Sequence, residues 1–186
     1  MVRLFQWRSS IRRFAKAKRG AVAIEFGLIA VPFFLLFVGT AEVGLMGLGQ
    51  NSLDNATSIV GRDIRTGRAQ ANGVTQAEIF EALCAEVNDT MPMACNGRLY
   101  LDVRRYPSFV AAAAGTAAPI DGDGMFQPAD FRFEPGLDSE IVVVRAFYRW
   151  EAVTPLLGRV LANTNGGERI LVSTMMFRNE PFGAVS

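Results

Sequence analysis

The sequence predicts an α+β fold: a long N-terminal transmembrane helix that continues into an amphipathic stalk, packed on a small antiparallel sheet with short helices. Three observations carry this expectation. The length of 186 residues suits one domain with an appendage or one domain alone, and half of the residues are apolar, so the chain is not disordered. Residues 21–49 form an apolar run whose only charges are Glu25 and Glu42. Three later segments are of strand type, and helical patterns both precede and separate them, an order typical of α+β chains.

The elements follow in order. Residues 1–20 carry seven Lys or Arg and no acid, whereas residues 21–186 carry 12 Arg, no Lys and 18 Asp or Glu, a net charge of −6. Between Glu25 and Glu42 lie 16 uncharged residues without a polar stripe. Ala21–Gly44 as a helix spans about 36 Å, enough to cross a hydrocarbon core of about 30 Å. Pro32 is expected to kink this helix, which membrane helices tolerate. The positive-inside rule places residues 1–20 in the cytoplasm and the body across the membrane.

Beyond Gly44, Leu45, Leu48, Leu53, Ala56, Val60 and Ile64 recur near helical spacing and predict an amphipathic continuation that packs against the body, with Gly67 as its stop. Thr75 and Glu78 form a capping-box pattern, and Ile79, Leu83 and Val87 share a face, so residues 76–88 are expected to be helical. Leu99–Tyr106 alternates in period two; Ile141–Arg149 and Arg169–Arg178 are rich in β-branched and aromatic residues. Pro155–Asn163 reads as a short helix begun by proline. Residues 111–140, with clustered Ala, Gly, Asp and Pro, read as a long loop, and 88–96 as a shorter one. The expected organisation is a basic leader (1–20), a transmembrane helix (21–45), a helical stalk (46–67) and an extracytoplasmic α+β domain (68–186).

Cys84 and Cys95 lie on the oxidising side by this topology, on the second helix and just before the first strand. They read as a structural disulfide rather than two buried free thiols, and no C-x-x-C spacing suggests redox catalysis.

Little else suggests chemistry. The sequence has no His, which removes His-dependent triads and His-ligated zinc, and two cysteines cannot make a four-Cys zinc site. Phosphate-loop, dinucleotide and nucleophile-elbow motifs are absent. Asp121-Gly-Asp123-Gly, with Asp130, lacks the remaining ligands of a calcium loop and reads as a solvated loop. The acidic body argues against nucleic acid as a partner. Phe126, Phe131, Phe133, Tyr148 and Trp150 read as packing. No cofactor, metal or small-molecule substrate is expected, and the chain is not expected to be an enzyme.

Three export routes compete for the N-terminal segment. Gly39-Thr40-Ala41 is a weak signal-peptidase site, and Arg12-Arg13-Phe14 lacks the spacing of a twin-arginine signal. Lys18-Arg19-Gly20 before Ala21-Val-Ala-Ile-Glu25-Phe26 resembles the processing site of type IV prepilins, although many pilins have Phe where this chain has Ala21. Cleavage after Gly20 leaves an α-amine on Ala21 and Glu25 as the fifth mature residue, the position that in pilins is thought to set subunit register. Further motifs keep the same company: Leu53-Asp-Asn-Ala56, Arg62-Asp-Ile-Arg-Thr-Gly67, the cysteine pair leading into Leu99-Tyr-Leu-Asp-Val103, Tyr148-Arg-Trp150 before Thr154-Pro-Leu-Leu157, and Phe177-Arg-Asn-Glu-Pro-Phe182. Together they resemble TadE-like proteins, pseudopilins of the Tad, or Flp, tight-adherence pilus system. The resemblance implies a pilin-like, non-enzymatic minor component in pilus assembly. It also implies maturation by a prepilin peptidase at Gly20 and Ala21, an assembly role for Glu25, and other pilins or pseudopilins and the Tad inner-membrane platform as partners. The implied location is the bacterial inner membrane with the body periplasmic. An uncleaved single-pass anchor carrying a periplasmic binding or scaffold domain is the alternative, and a secreted enzyme the third reading.

Overall fold

The computed structural model describes residues 18–116 and 119–182; most of the expected basic leader lies outside them. The first element, α1, is a single helix from Lys18 to Arg65 that continues through Pro32. It is followed by α2 (Arg68–Ala71), α3 (Gln76–Thr90), β1 (Leu99–Tyr106), α4 (Phe109–Gly115), a 3-10 turn (Pro128–Asp130), β2 (Ile141–Trp150), α5 (Pro155–Leu161) and β3 (Arg169–Arg178). The chain divides into two compact units at the Ala41–Glu42 bond.

In the first unit α1 presents apolar side chains on every side, and Val22, Phe26, Leu28 and Leu36 are all 66–74% exposed. Among the described residues it belongs to the one helix long and apolar enough to cross a membrane. Water does not tolerate such a surface along a helix, whereas hydrocarbon does.

The second unit is built on a three-stranded antiparallel sheet of order β1-β2-β3. Leu99 pairs with Tyr148 and Tyr106 with Ile141; Ile141 in turn faces Arg178 and Trp150 faces Arg169. Alternation sends Leu99, Leu101 and Val103, with Val142, Val144, Ala146 and Tyr148, to one face. There they meet Leu53, Ala56, Val60 and Ile64 of α1 and Ile79, Leu83 and Val87 of α3. The expected stripe is thus shorter than its spacing suggests. Leu45 and Leu48 are exposed, because the buried face passes instead through Glu42, Gly49 and Ser52. Gly49 allows this close approach: a Cβ there would lie 2.9 Å from Cζ3 of Trp150.

The opposite face of the sheet corrects another expectation. The segment 111–140 is no plain loop. Ser108 caps α4 by accepting the Ala111 N–H at 3.1 Å, and Ala112 packs on Ile141 and Val143. Val103 donates to the Arg132 carbonyl and accepts from the Glu134 N–H, both at 2.8 Å, which secures the segment along the β1 edge. Phe131 then stacks on Phe147 at 4.9 Å between centroids, with Phe126 and Tyr100 edge-on. This cover explains why β2 is buried on both faces. The second helix also outruns its expected end, reaching Thr90 instead of residue 88.

Candidate functional site

Gly20 and Ala21 lie in the first turn of α1, and a Cβ on Gly20 would meet no atom within 4 Å. One turn on, Glu25 is exposed among Val22, Ile24, Phe26 and Ile29, themselves 64–70% exposed. The segment therefore offers one carboxylate on an otherwise apolar surface. Such a group is costly at membrane depth unless it reaches the interface or meets a cation, which makes it a natural point of recognition.

Glu42, the other acid of the apolar run, is buried in the second unit. It is only 3% exposed. Its Oε1 accepts the Val153 N–H at 3.0 Å; its Oε2 accepts the Thr154 N–H at 3.2 Å and the Thr154 hydroxyl at 3.3 Å. These groups open α5, which has no acid in its first turn and no side-chain cap from Thr154. A helix start has orphan N–H groups and favours an anion, so α1 supplies from a distance what α5 lacks. Sequence reasoning missed this role. The only available signals were a second acid in an apolar run and a Thr-Pro helix start without its own carboxylate.

Cys84 and Cys95 are joined, with their Cα atoms 5.9 Å apart. The bridge is not the sole tie there. Asn88 donates to the Cys84 carbonyl and accepts the Met93 N–H, both at 2.9 Å.

A second unforeseen cluster lies on the covered face of the sheet. Asp102, fully buried, accepts from Arg104 Nε at 2.8 Å, from Arg145 Nη2 at 2.7 Å and from the Arg132 N–H at 2.9 Å. Its hydrogen bond to Arg104 raises the pKa of that guanidinium despite the opposing effect of burial. A buried carboxylate held by two guanidiniums and a backbone N–H meets the condition under which buried charge is tolerated. Nearby, Asp121 accepts the N–H groups of Met125 and Asp123 and the Gln127 amide. The Met125 and Gln127 bonds hold its carboxyl below the usual carboxylate range. The carboxylate thus organises its own turn. Among the described residues, no group of three or more His, Cys, Asp or Glu is placed to hold a metal ion.

Chemically, the distinctive surface is the apolar helix with its single exposed carboxylate. The family model described as TadE-like protein matches residues 20–62, beginning at Gly20. Residues 20–62 of this chain are thus similar to the TadE-like family. The TadE-like match covers under a quarter of the chain and takes in Gly20, Ala21, Glu25 and Glu42, together with the Leu53–Val60 stripe. No curated protein and no solved structure matches the chain.

Proposed function

We propose that this protein is a non-enzymatic minor pseudopilin that takes part in assembling a Tad/Flp type IVb pilus. A prepilin peptidase removes residues 1–20 by cutting between Gly20 and Ala21. Before assembly the mature chain is held in the inner membrane by α1, with the second unit in the periplasm. Other pilins or pseudopilins and the inner-membrane assembly platform are its partners. The carrying observation is the TadE-like match, which starts at Gly20 and includes Glu25. Physical support comes from Glu25 itself, an exposed carboxylate on an apolar helix. A subunit's new Ala21 amine, brought beside Glu25 of a neighbour in a low-dielectric surrounding, would compensate both charges and fix the register between the helices.

The mass of the membrane-bound protein tests this reading. Loss of residues 1–20 is expected, and Gly20→Asp is expected to leave the chain uncut because a site that accepts glycine has little room for a charged side chain. Efficient processing of the Asp variant would sink the assignment. An intact N-terminus supports the second reading, an uncleaved anchor with a periplasmic scaffold domain. One observation favours that reading: the Gly20–Ala21 bond lies within the first turn of α1, whereas proteolysis needs extended backbone.

A further inference from the structure

Two of the most exposed apolar side chains in the second unit lie on α5 or just before it, and the start of α5 is held by Glu42, where α1 enters that unit. Val153 is 77% exposed and Val160 78%. The Glu42 carboxylate accepts the Val153 N–H at 3.0 Å, and Glu42 directly follows the apolar segment Val22–Ala41. Chain continuity therefore holds Val153 and the start of α5 near the end of that segment.

The exposed apolar surface of α1 also continues past this point. Val43, Leu45 and Leu48 are 44–52% exposed. From Val22 to Leu48 the helix rises about 40 Å, roughly 10 Å more than a hydrocarbon core. The excess is comparable to the polar and interfacial layers that flank that core. Residues 42–48, and with them Val153, thus fall at the depth of the interface. In α5 itself, Arg159 is exposed beside Val160, and Leu157 and Leu161 are half-buried. An exposed Val153 before the helix, with an exposed Val160 and one cation on it, suits that layer: the apolar groups enter the acyl boundary while the guanidinium reaches lipid phosphate.

We propose that Val153 and α5 dock on the outer face of the membrane, giving the second unit a lipid contact besides the spanning helix. This rests on the reading that α1 spans the membrane, and the test separates the two. The full chain is reconstituted in vesicles of phosphatidylethanolamine and phosphatidylglycerol, with a nitroxide on a single new cysteine at Phe34→Cys, Val153→Cys, Val160→Cys or Val110→Cys. The native cysteines are bonded, so the new thiol alone is labelled. Val110, 81% exposed, sits on α4 beside the Ile141 end of the sheet, about 30 Å along β2 from Trp150, and serves as the aqueous reference. Collision with oxygen and with a water-soluble nickel chelate is then read by power saturation.

The Phe34, Val153 and Val160 labels are expected to favour oxygen several-fold over the Val110 label. Lipid-like values at Phe34 with aqueous values at both Val153 and Val160 overturn the docking and leave the span intact. Shielding of Val153 and Val160 from both reagents means that protein, such as a second copy, covers them, and also overturns it. A Phe34 label open to the nickel chelate overturns the span and the docking together.

Discussion

The two acids of the apolar run have opposite environments, and substitution separates them. Glu25 is exposed, and among the described residues it has no hydrogen bond or ion pair that an isosteric amide would disturb. Glu25→Gln is therefore expected to insert and to be cut normally, because a neutral side chain is easier to bury, yet to co-purify poorly with other pilins. Normal co-purification and normal surface pili would show Glu25 to be an ordinary interfacial acid. Glu42 instead receives two backbone N–H groups and a hydroxyl. Glu42→Ala is expected to destabilise the second unit by about 1–3 kcal/mol, the cost of stranding buried donors, and Glu42→Gln by less, since the amide retains an oxygen. Thermal unfolding in detergent measures both. A Glu42→Ala protein as stable as the parent would mean that water replaces the carboxylate without loss. Nothing near Glu42 in the sequence announces this role, because its partners lie 111 and 112 residues away. The same holds for Asp102 and Arg145, which are 43 residues apart and become neighbours only through the β1–β2 register.

Elements with strong local signals were legible. β1 and β3 have the expected ends because period-two alternation and β-branched runs are written within a few residues. The Thr75–Glu78 box forms as expected, and its two hydrogen bonds to Thr75 lower the Glu78 pKa. The Ala- and Gly-rich composition around α4 hides that helix, although Ser108 is an available cap. What makes that segment order itself is the apolar second face of β2, which local patterning does not reveal. At the Cys84–Cys95 loop, double Cys→Ser is expected to lower stability by about 2–3 kcal/mol through the freer unfolded chain. Because Asn88 still ties α3 to Met93, circular dichroism should show the folded helix content unchanged at low temperature. Helix loss there would mean that the bridge alone holds α3 in place. Gly67 provides a second test between elements. Its φ is +75°, and a Cβ would lie 2.2 Å from Cγ of Phe182; Gly73, with φ +61°, has open space. Both Gly→Ala changes carry a backbone cost of about 1–3 kcal/mol. Gly67→Ala is expected to cost more, since it must also displace Phe182, and equal midpoints in thermal unfolding would show that the ring does not pack there.

For the second unit as a whole, the boundary at Glu42 has a practical corollary. A chain beginning at Glu42 is expected to unfold several degrees above one beginning at Gln50, because it retains the carboxylate on α5 and the packing of Met46 and Gly49 against the core. Calorimetry of the two chains decides it, and identical midpoints would make residues 42–49 dispensable to the fold. The helix-on-sheet arrangement was legible in the sequence because the Leu53–Ile64 stripe and the strand patterns are each written locally. The placement of α1 on β3 also has a consequence in time. The helix stripe ending at Ile64 shares its core with Leu171 and Phe177, more than 100 residues further along. At roughly 5–20 residues per second, those partners are synthesised about 5–20 s later. For part of that interval Leu53, Ala56, Val60 and Ile64 have left the ribosome before β3, the last strand of their sheet, is made. During biogenesis the nascent chain therefore passes through a stage in which this stripe must be shielded, by lipid or by a chaperone, until the last strand arrives.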